Sequence, residues 1–204
     1  MRSPRPSKAK RLLDIAISLI AGLACLPIFL LLALLIRLDS PGPTLFRQFR
    51  IGIDGRPFRI VKFRTMHVQE DGSGVRQVTA DDPRVTRIGR LLRATGLDEL
   101  PQLLNVLAGD MSLVGPRPHA AAHDHYYGSR IVGYARRHRV RPGITGWAQV
   151  HGARGATPEL RDMQTRVQLD LWYVEHASVW LDLKILARTP VEILRRGRPL
   201  EVGK

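Results

Sequence analysis

The longest apolar stretch of the chain covers residues 15–36, which are 22 consecutive positions without a charge. A straight helix rises about 1.5 Å per residue, so a stretch of this length can reach across a bilayer. Pro27 lies near its middle, where a proline removes one helix hydrogen bond and clashes with the preceding turn. The pattern therefore predicts a membrane helix that is broken at Pro27.

Shorter helix and strand patterns follow this stretch. Residues 45–66 predict two short strands around a turn at Asp54-Gly55, and the polar residues 69–80 predict a loop. Capping residues and apolar periodicity predict further elements, namely a helix opened by Asp82 and Pro83, a strand at 111–114, a helix over 120–139 and a helix started by Thr157, Pro158 and Glu159. We therefore expect an α+β fold that is mainly helical.

Two adjacent carboxylates, Asp98 and Glu99, stand just before another helical pattern. Asp98 suits the N-cap of this helix, which would place Pro101 within the first turn, where a missing N–H is tolerated. The helix is predicted to end near Gly109 and to bury one apolar face, made of Leu100, Leu103, Leu104 and Leu107. On these residues alone, a purely capping role for Asp98 is the simplest interpretation.

The charge of the chain narrows the class of partner. Its 204 residues carry a formal net charge of +14 at pH 7, and Cys25 is the single cysteine. This balance favours anionic partners, namely nucleic acid, an acidic membrane surface or phosphorylated substrates. One cysteine excludes an internal disulfide and is typical of a reducing compartment.

Basic residues also flank the apolar stretch on both sides, from Arg2 to Arg11 and again from Arg37 onward. The positive-inside rule places both flanks in the cytoplasm, which a helix that enters one leaflet and returns would satisfy. A kinked spanning helix is the alternative, and a buried helix of a soluble protein fits less well. We expect a basic N-terminus with a re-entrant membrane helix over residues 1–40 and a cytoplasmic domain over residues 41–204.

The last helical pattern of the chain combines apolar and basic residues. Trp180, Leu183 and Leu186 alternate with Lys184 and Arg188, which is typical of a helix that lies on an anionic leaflet. Ordinary packing against the core is the alternative. Anionic membrane lipids are therefore expected partners.

A carboxylate pair surrounded by arginines is suited to phosphoryl-group chemistry. Arginine binds phosphate through two parallel hydrogen bonds, and a carboxylate can hold a divalent metal or attack phosphorus. Arg117 is presented by the rigid turn Gly115-Pro116-Arg117-Pro118, and Arg93, Lys62 and Arg64 are further candidates for phosphate binding. The usual Gly-rich nucleotide motifs are absent from the sequence, so a nucleotide would need a different binding arrangement.

Several ordered segments closely resemble the bacterial sugar transferases, which are monotopic polyprenyl-phosphate phosphoglycosyl transferases. The resemblance covers nearly the whole chain, from Lys10 to about Arg195, and is carried by KFRTM at 62–66, LDELPQL at 97–103, NVL at 105–107, DMSLVGPRP at 110–118 and RPGITGWAQV at 141–150. Residues 118–127 are similar to the catalytic part of exopolysaccharide-initiating undecaprenyl-phosphate glucose or galactose phosphotransferases.

This resemblance implies a chemistry for the carboxylate pair. It assigns Asp98 as the nucleophile that attacks a UDP-sugar, and Glu99 as the second catalytic residue. Both would bind Mg²⁺, while Arg117, Arg93, Lys62 and Arg64 would bind substrate. It also implies undecaprenyl phosphate as acceptor and a location on the cytoplasmic face of the bacterial inner membrane. UDP-glucose and UDP-galactose are the expected donors, and a homo-oligomer is left open.

Other interpretations remain beside this one. His119 and His123 are four residues apart, a spacing that can hold a metal on a helix, but two histidines are weak evidence for a zinc site. The net charge alone would suit a membrane-tethered nucleic-acid-binding protein, but no recognised binding motif is present and we expect no nucleic acid as partner. A scaffold without catalysis is the remaining alternative.

Overall fold

The computed structural model describes residues 7–67, 78 and 82–194. Its helices are α1 (Lys8–Ala24), α2 (Leu26–Asp39), α3 (Arg87–Thr95), α4 (Gln102–Ala108), α5 (Ala121–Gly128), α6 (Trp147–Val150), α7 (Leu160–His176) and α8 (Val179–Leu194). Its strands are β1 (Leu45–Ile51), β2 (Pro57–Phe63), β3 (Ser112–Val114) and β4 (Gly143–Thr145). The expected α+β fold with a helical majority is confirmed. The predicted loop over 69–80 lies almost wholly outside the described residues.

The apolar stretch forms α1 and α2, which meet at Cys25 with an angle of 61°. Pro27 lies in the first turn of α2, where its ring fits the helix and its missing N–H costs nothing. The predicted break is thus confirmed. Within the described residues, neither helix alone is long and apolar enough to cross a membrane, but the bent pair passes that test on length and composition. The placement of the pair in one leaflet stays a prediction.

One face of α1 is polar and is fixed to the rest of the protein. Arg11 donates to the carbonyls of Val106 and Leu107 at the end of α4, over 2.6 and 2.9 Å. The buried carboxylate of Asp14 accepts from the backbone N–H of Leu113 on β3. These bonds tie the apolar helix pair directly to the elements around the carboxylate pair. The predicted division into a membrane segment over residues 1–40 and a cytoplasmic domain over residues 41–204 stays a prediction.

β1 and β2 form the predicted antiparallel hairpin, with Leu45 opposite Phe63 and Ile51 opposite Pro57. The turn uses Asp54 at φ 53° and Gly55 at φ 74°, the left-handed conformations that such a connection requires. Ile60 on β2 is 1 % exposed and joins the main core. Other members of this core are Val106 on α4, Met111 just before β3, Val114 on β3, Tyr173 on α7 and Ile185 on α8.

The predicted helix start at Asp82 and Pro83 is wrong. The Asp82 carboxylate instead accepts from the backbone and the guanidinium of Arg84, which closes a local turn. The helix begins at Arg87, after Thr86 has capped it by accepting from the N–H of Gly89. Both Asp and Thr are good N-cap residues, and the sequence offered two candidates within five positions.

The single helix predicted over 120–139 is also wrong. α5 ends at Gly128, and Gly133 at φ 79° precedes a separate 3-10 helix, Tyr134–Arg139. By contrast, the predicted start of the next helix is confirmed, because Glu159 and Asp162 form a reciprocal capping box at the start of α7. Met163, Val167 and Val174 on this helix are buried as expected.

Candidate active site

The carboxylate pair lies on a tight 3-10 turn between two helices. Gly96, at φ 75°, ends α3, the turn Leu97–Glu99 follows, and α4 begins only at Gln102. The predicted capping role of Asp98 is therefore wrong, since the structure gives neither helical segment a side-chain cap there. The end of α4 at Gly109, with φ 94°, is confirmed. Leu103 is buried as predicted, but Leu104 is 55 % exposed.

Glu99 is held by two cations. Nη1 and Nη2 of Arg117 donate to its two carboxylate oxygens over 3.0 and 2.5 Å, and Nζ of Lys62 donates to Oε1 over 2.9 Å. Burial alone raises the pKa of Glu99, but the charges and hydrogen bonds of Arg117 and Lys62 outweigh it. The pKa of Glu99 consequently lies well below its ordinary value. The charge of Glu99 in turn raises the pKa of Arg117.

Asp98 has a different environment, although it is the adjacent residue. It is 8 % exposed, and its carboxylate accepts no hydrogen bond from any residue that the structure describes. Burial raises the pKa of Asp98; Lys62 opposes this shift, and the negative charge of Glu99 adds to it. One carboxylate of the pair is thus engaged by cations, while its neighbour keeps its oxygens available.

Lys62 reaches the pair because Asn105 attaches β2 to α4. The side chain of Asn105 accepts from the backbone N–H of Val61 over 2.9 Å and donates to the carbonyl of Arg59 over 2.8 Å. The Asn105 side chain thus bonds to β2 as the backbone of a neighbouring strand would. These bonds fix the end of β2 against α4, the helix that follows the carboxylates. The sequence indicated Asn105 only as part of a resembling segment, because a buried asparagine has no signature that separates it from an exposed one.

Arg117 is presented by two Gly/Pro turns that pack against each other. β3 and β4 pair in parallel, with Ser112 opposite Gly143, so the turns that follow lie side by side. A Cβ added to Gly115 would approach the carbonyl oxygen of Arg141 to 2.3 Å. Only glycine allows the backbones to come this close. The two turns noted in the sequence are therefore two parts of one substructure.

The structure brings Arg93 to the pair but not Arg64. Nη1 of Arg93 donates to the hydroxyl of Thr65, and burial lowers the Arg93 pKa against the opposing charge of nearby Asp98. Arg64 is buried elsewhere and donates to the carbonyls of Ile36, Ser40 and Pro41 at the end of α2. The N–H groups of Arg64 therefore stabilise the C-terminus of a helix. Sequence alone does not distinguish an arginine with this role from one that binds phosphate.

A comparison of the whole chain with known proteins identifies its family. The family model described as "Bacterial sugar transferase" matches residues 5–196. The chain belongs to the bacterial sugar transferase family. The match contains Asp98, Glu99 and all four basic residues considered above.

This sugar transferase has close relatives among known proteins. It is 55 % identical over 185 residues to the UDP-glucose:undecaprenyl-phosphate glucose-1-phosphate transferase of Caulobacter vibrioides, covering 91 % of this chain and 69 % of that protein. It is 52 % identical to the Escherichia coli protein of the same name, covering 88 % of this chain and 39 % of that protein. It is also 48 % identical to the exopolysaccharide production protein PSS of Rhizobium leguminosarum, covering 93 % of this chain and 96 % of that protein. The chain thus spans about two fifths of some relatives and nearly all of another.

The histidines of this sugar transferase do not form a metal centre in the described part of the chain. No group of three or more His, Cys, Asp or Glu there is arranged to hold a metal ion. His119 is buried, and its Nδ1 accepts from Nη1 of Arg137 over 2.8 Å, while His123 packs its ring against the edge of Tyr127. Burial, with the charge of Arg137, holds the pKa of His119 well below its ordinary value.

Proposed function

We propose that this sugar transferase moves a sugar 1-phosphate from a UDP-sugar to undecaprenyl phosphate through a covalent intermediate on Asp98. The observation that carries the proposal is the contrast between two neighbouring carboxylates. Glu99 is neutralised by Arg117 and Lys62, whereas Asp98 accepts no hydrogen bond from the described residues. A nucleophilic oxygen needs this freedom, and a diphosphate needs the cations that lie beside it.

The proposed transfer has two steps. An oxygen of Asp98 attacks the sugar-bearing phosphorus, the bond from that phosphorus to the bridging oxygen breaks, and UMP leaves with the bridging oxygen. A phosphate oxygen of the lipid then attacks the same phosphorus, and the bond to Asp98 breaks. The product is undecaprenyl diphosphate-sugar, and Asp98 is regenerated as a carboxylate.

The basic residues have separate roles in this proposal. Arg117 and Lys62 fix Glu99 and bind the phosphate groups, and Arg93 stabilises charge on the side of Asp98. Because a buried cation acts in a medium of low dielectric, the electrostatic stabilisation that each of these residues gives to phosphate charge is larger there than on the surface. Arg64 acts indirectly, since it holds the end of α2 beside β2.

Asp98 and Glu99 also fit a bound Mg²⁺. This ion prefers oxygen ligands and usually takes one or two protein carboxylates together with phosphate oxygens of the substrate. The Asp98 carboxylate is available as such a ligand, and Glu99 would contribute an oxygen by exchanging one of its hydrogen bonds to Lys62 or Arg117. The described residues offer no group of three or more possible protein ligands. When bound, the ion would neutralise part of the diphosphate charge.

UDP-glucose is the donor we propose first. The relatives from Caulobacter vibrioides and Escherichia coli are named for UDP-glucose and undecaprenyl phosphate, at 55 % and 52 % identity. UDP-galactose differs at one hydroxyl and is the alternative donor. Synthesis of an exopolysaccharide, as in the name of the Rhizobium leguminosarum relative, is the proposed context.

The proposed location is the cytoplasmic face of the inner membrane, with α1 and α2 entering one leaflet. The exposed apolar side chains of this pair support it, since water does not favour so many on one surface. They include Leu19, Ile20, Leu23, Leu30, Leu31 and Leu34. Bilayer lipid would cover them, while the carboxylate pair faces the aqueous nucleotide.

The deciding experiment supplies UDP-glucose, labelled in the sugar, and Mg²⁺ without lipid acceptor. Wild-type protein should release about one UMP per active site and retain the label, as two-step covalent transfer requires. Asp98→Asn, which is nearly the same size, should fold and retain no label, whereas the exposed control Asp54→Asn should behave as wild type. Retention of label by Asp98→Asn, or lipid product without any labelled protein, would contradict the proposal. Salt-sensitive retention of nucleic acid without UMP release would favour the nucleic-acid-binding alternative.

A further inference from the structure

A buried ion pair lies behind the turn that presents Arg117. Arg137, in the 3-10 helix Tyr134–Arg139, donates from Nε and Nη2 to Oδ2 of Asp170 on α7, over 3.2 and 2.7 Å. The two side chains are 2 % and 1 % exposed. A buried pair of this kind gains little net stability, because removing both charges from water offsets much of their attraction. The small net contribution of this pair to stability therefore points to another role for it.

Of the remaining donors of Arg137, Nη1 contacts the hydroxyl of Tyr134 in the same 3-10 helix over 3.2 Å, and both Nη1 and Nη2 also reach the turn. Nη2 donates to the backbone carbonyl of Arg117 over 2.7 Å, and Nη1 donates to Nδ1 of His119 over 2.8 Å. One guanidinium thus fixes both sides of Pro118. Asp170 orients that guanidinium. Because the group is planar, a carboxylate bonded along its Nε edge fixes the direction in which the other N–H groups point.

The turn depends on such external donors. Pro116 and Pro118 have no backbone N–H, so the turn cannot close through their amides. Its three successive carbonyls accept instead from three distant groups. The donor is the N–H of Gly143 for Pro116, Arg137 for Arg117, and Nη1 of Arg50 for Pro118.

We propose that Asp170 and Arg137 are positioning residues for the transfer reaction, which act by holding the backbone of Arg117 so that its side chain engages Glu99. The pair itself makes no hydrogen bond to Asp98 or Glu99. This inference rests on the proposed function for its effect on rate, whereas the fixation of the turn is independent of that function. A displacement of about 1 Å at a positioning group can lower a rate by roughly a hundredfold.

The chain supplies a matched control on the same two elements. Arg136 and Glu175 also pair the 3-10 helix with α7, over 2.5 Å, but their side chains are 46 % and 55 % exposed. An exposed pair contributes little to stability. Glu175→Gln should therefore leave the turn and the activity unchanged, and it removes the same kind of charge as Asp170→Asn.

The first measurement is hydrogen exchange of the peptide that contains residues 111–123. Asp170→Asn should accelerate exchange at the turn, and Glu175→Gln should not. Arg137→Lys is a second variant that keeps the charge beside Asp170 but lacks the fork, and it should accelerate exchange in the same way. Unchanged protection of the turn in both Asp170→Asn and Arg137→Lys would overturn the inference, whatever the activity of the protein.

The second measurement is a double-mutant cycle on kcat for UMP release from UDP-glucose. Asp170→Asn alone should lower kcat about tenfold or more, as misplacement of Arg117 requires. In an Arg117→Ala background the same change should have less than about a twofold further effect, because its target is gone. A full, multiplicative loss in that background would show a merely structural role and overturn the inference. Absence of UMP release by wild type would instead defeat the proposed function, and the exchange measurement would still decide whether the turn is held.

Discussion

Arg117→Lys separates the geometry of the cation beside Glu99 from its charge. The guanidinium makes two hydrogen bonds to Glu99, at 3.0 and 2.5 Å, whereas a lysine ammonium at the end of a flexible stem can replace only one. A charge-assisted hydrogen bond contributes about 1.5–3 kcal/mol. Because the Arg117 side chain is 33 % exposed, the lower part of this range applies. In the proposed mechanism Arg117 also binds a phosphate group of the donor, and the loss of one such bond in the transition state, about 1.5–2 kcal/mol, corresponds to a roughly 10- to 30-fold decrease in kcat/KM.

The fold should survive this substitution. Lys62 still pairs with Glu99 over 2.9 Å, so the buried carboxylate is not left without a cation. The assay is kcat/KM for UMP release from UDP-glucose, with thermal unfolding measured on the same preparations. Arg136→Lys, the same replacement in the exposed pair with Glu175, is the control and should retain wild-type activity. Wild-type kcat/KM in Arg117→Lys, or an equal loss in Arg136→Lys, would refute the reasoning.

Three further predictions concern membrane placement and pH. Cysteines introduced at the exposed positions Lys8 and Arg47, in a cysteine-free background, should both be labelled from the cytoplasmic side; labelling from opposite sides would refute the re-entrant pair. Trp180→Ser, at a side chain 67 % exposed, should weaken binding to anionic vesicles about tenfold or more, whereas Val132→Ser should not; equal binding by both would exclude Trp180 from the membrane surface. The pKa of buried His119 lies below the ordinary value of 6.5, so below pH 6.5 the unfolded chain binds a proton at this histidine that the folded protein does not bind. The free energy of unfolding should therefore fall by up to about 1.4 kcal/mol for each pH unit below 6.5. Thermal unfolding should show a smaller slope in His119→Asn, and an unchanged slope would contradict this.

Local signals were enough for the elements whose conformation is fixed by their own residues. Pro27 predicts a break because its ring is incompatible with the middle of any helix, and Asp54-Gly55 predicts a hairpin turn because few other residues tolerate its angles. Gly109 ends α4 for the same kind of reason. These positions behave alike in isolation and in the fold, so sequence determines them.

The errors arose where two local solutions competed. Asp82 and Thr86 both suit a helix start, and the choice of Thr86 follows from tertiary contacts such as the bond from its N–H to the carbonyl of Thr65. Likewise Lys62 and Arg64 are two residues apart on one segment, but the first faces Glu99 and the second faces the end of α2. The ion pair of Arg137 and Asp170 had no local signal, because 33 residues separate its members.

The failed prediction for Asp98 bears directly on its proposed role. An N-cap side chain accepts from the N–H of the second or third helical residue, which for Asp98 would be Leu100 or Pro101. Pro101 has no N–H, and the N–H of Leu100 donates instead to the carbonyl of Leu97 within the 3-10 turn. Both donors that a capping carboxylate needs are thus removed. A carboxylate engaged in capping would have its oxygens occupied and its pKa lowered, so the turn that prevents the cap also leaves Asp98 free for the attack on phosphorus that we propose.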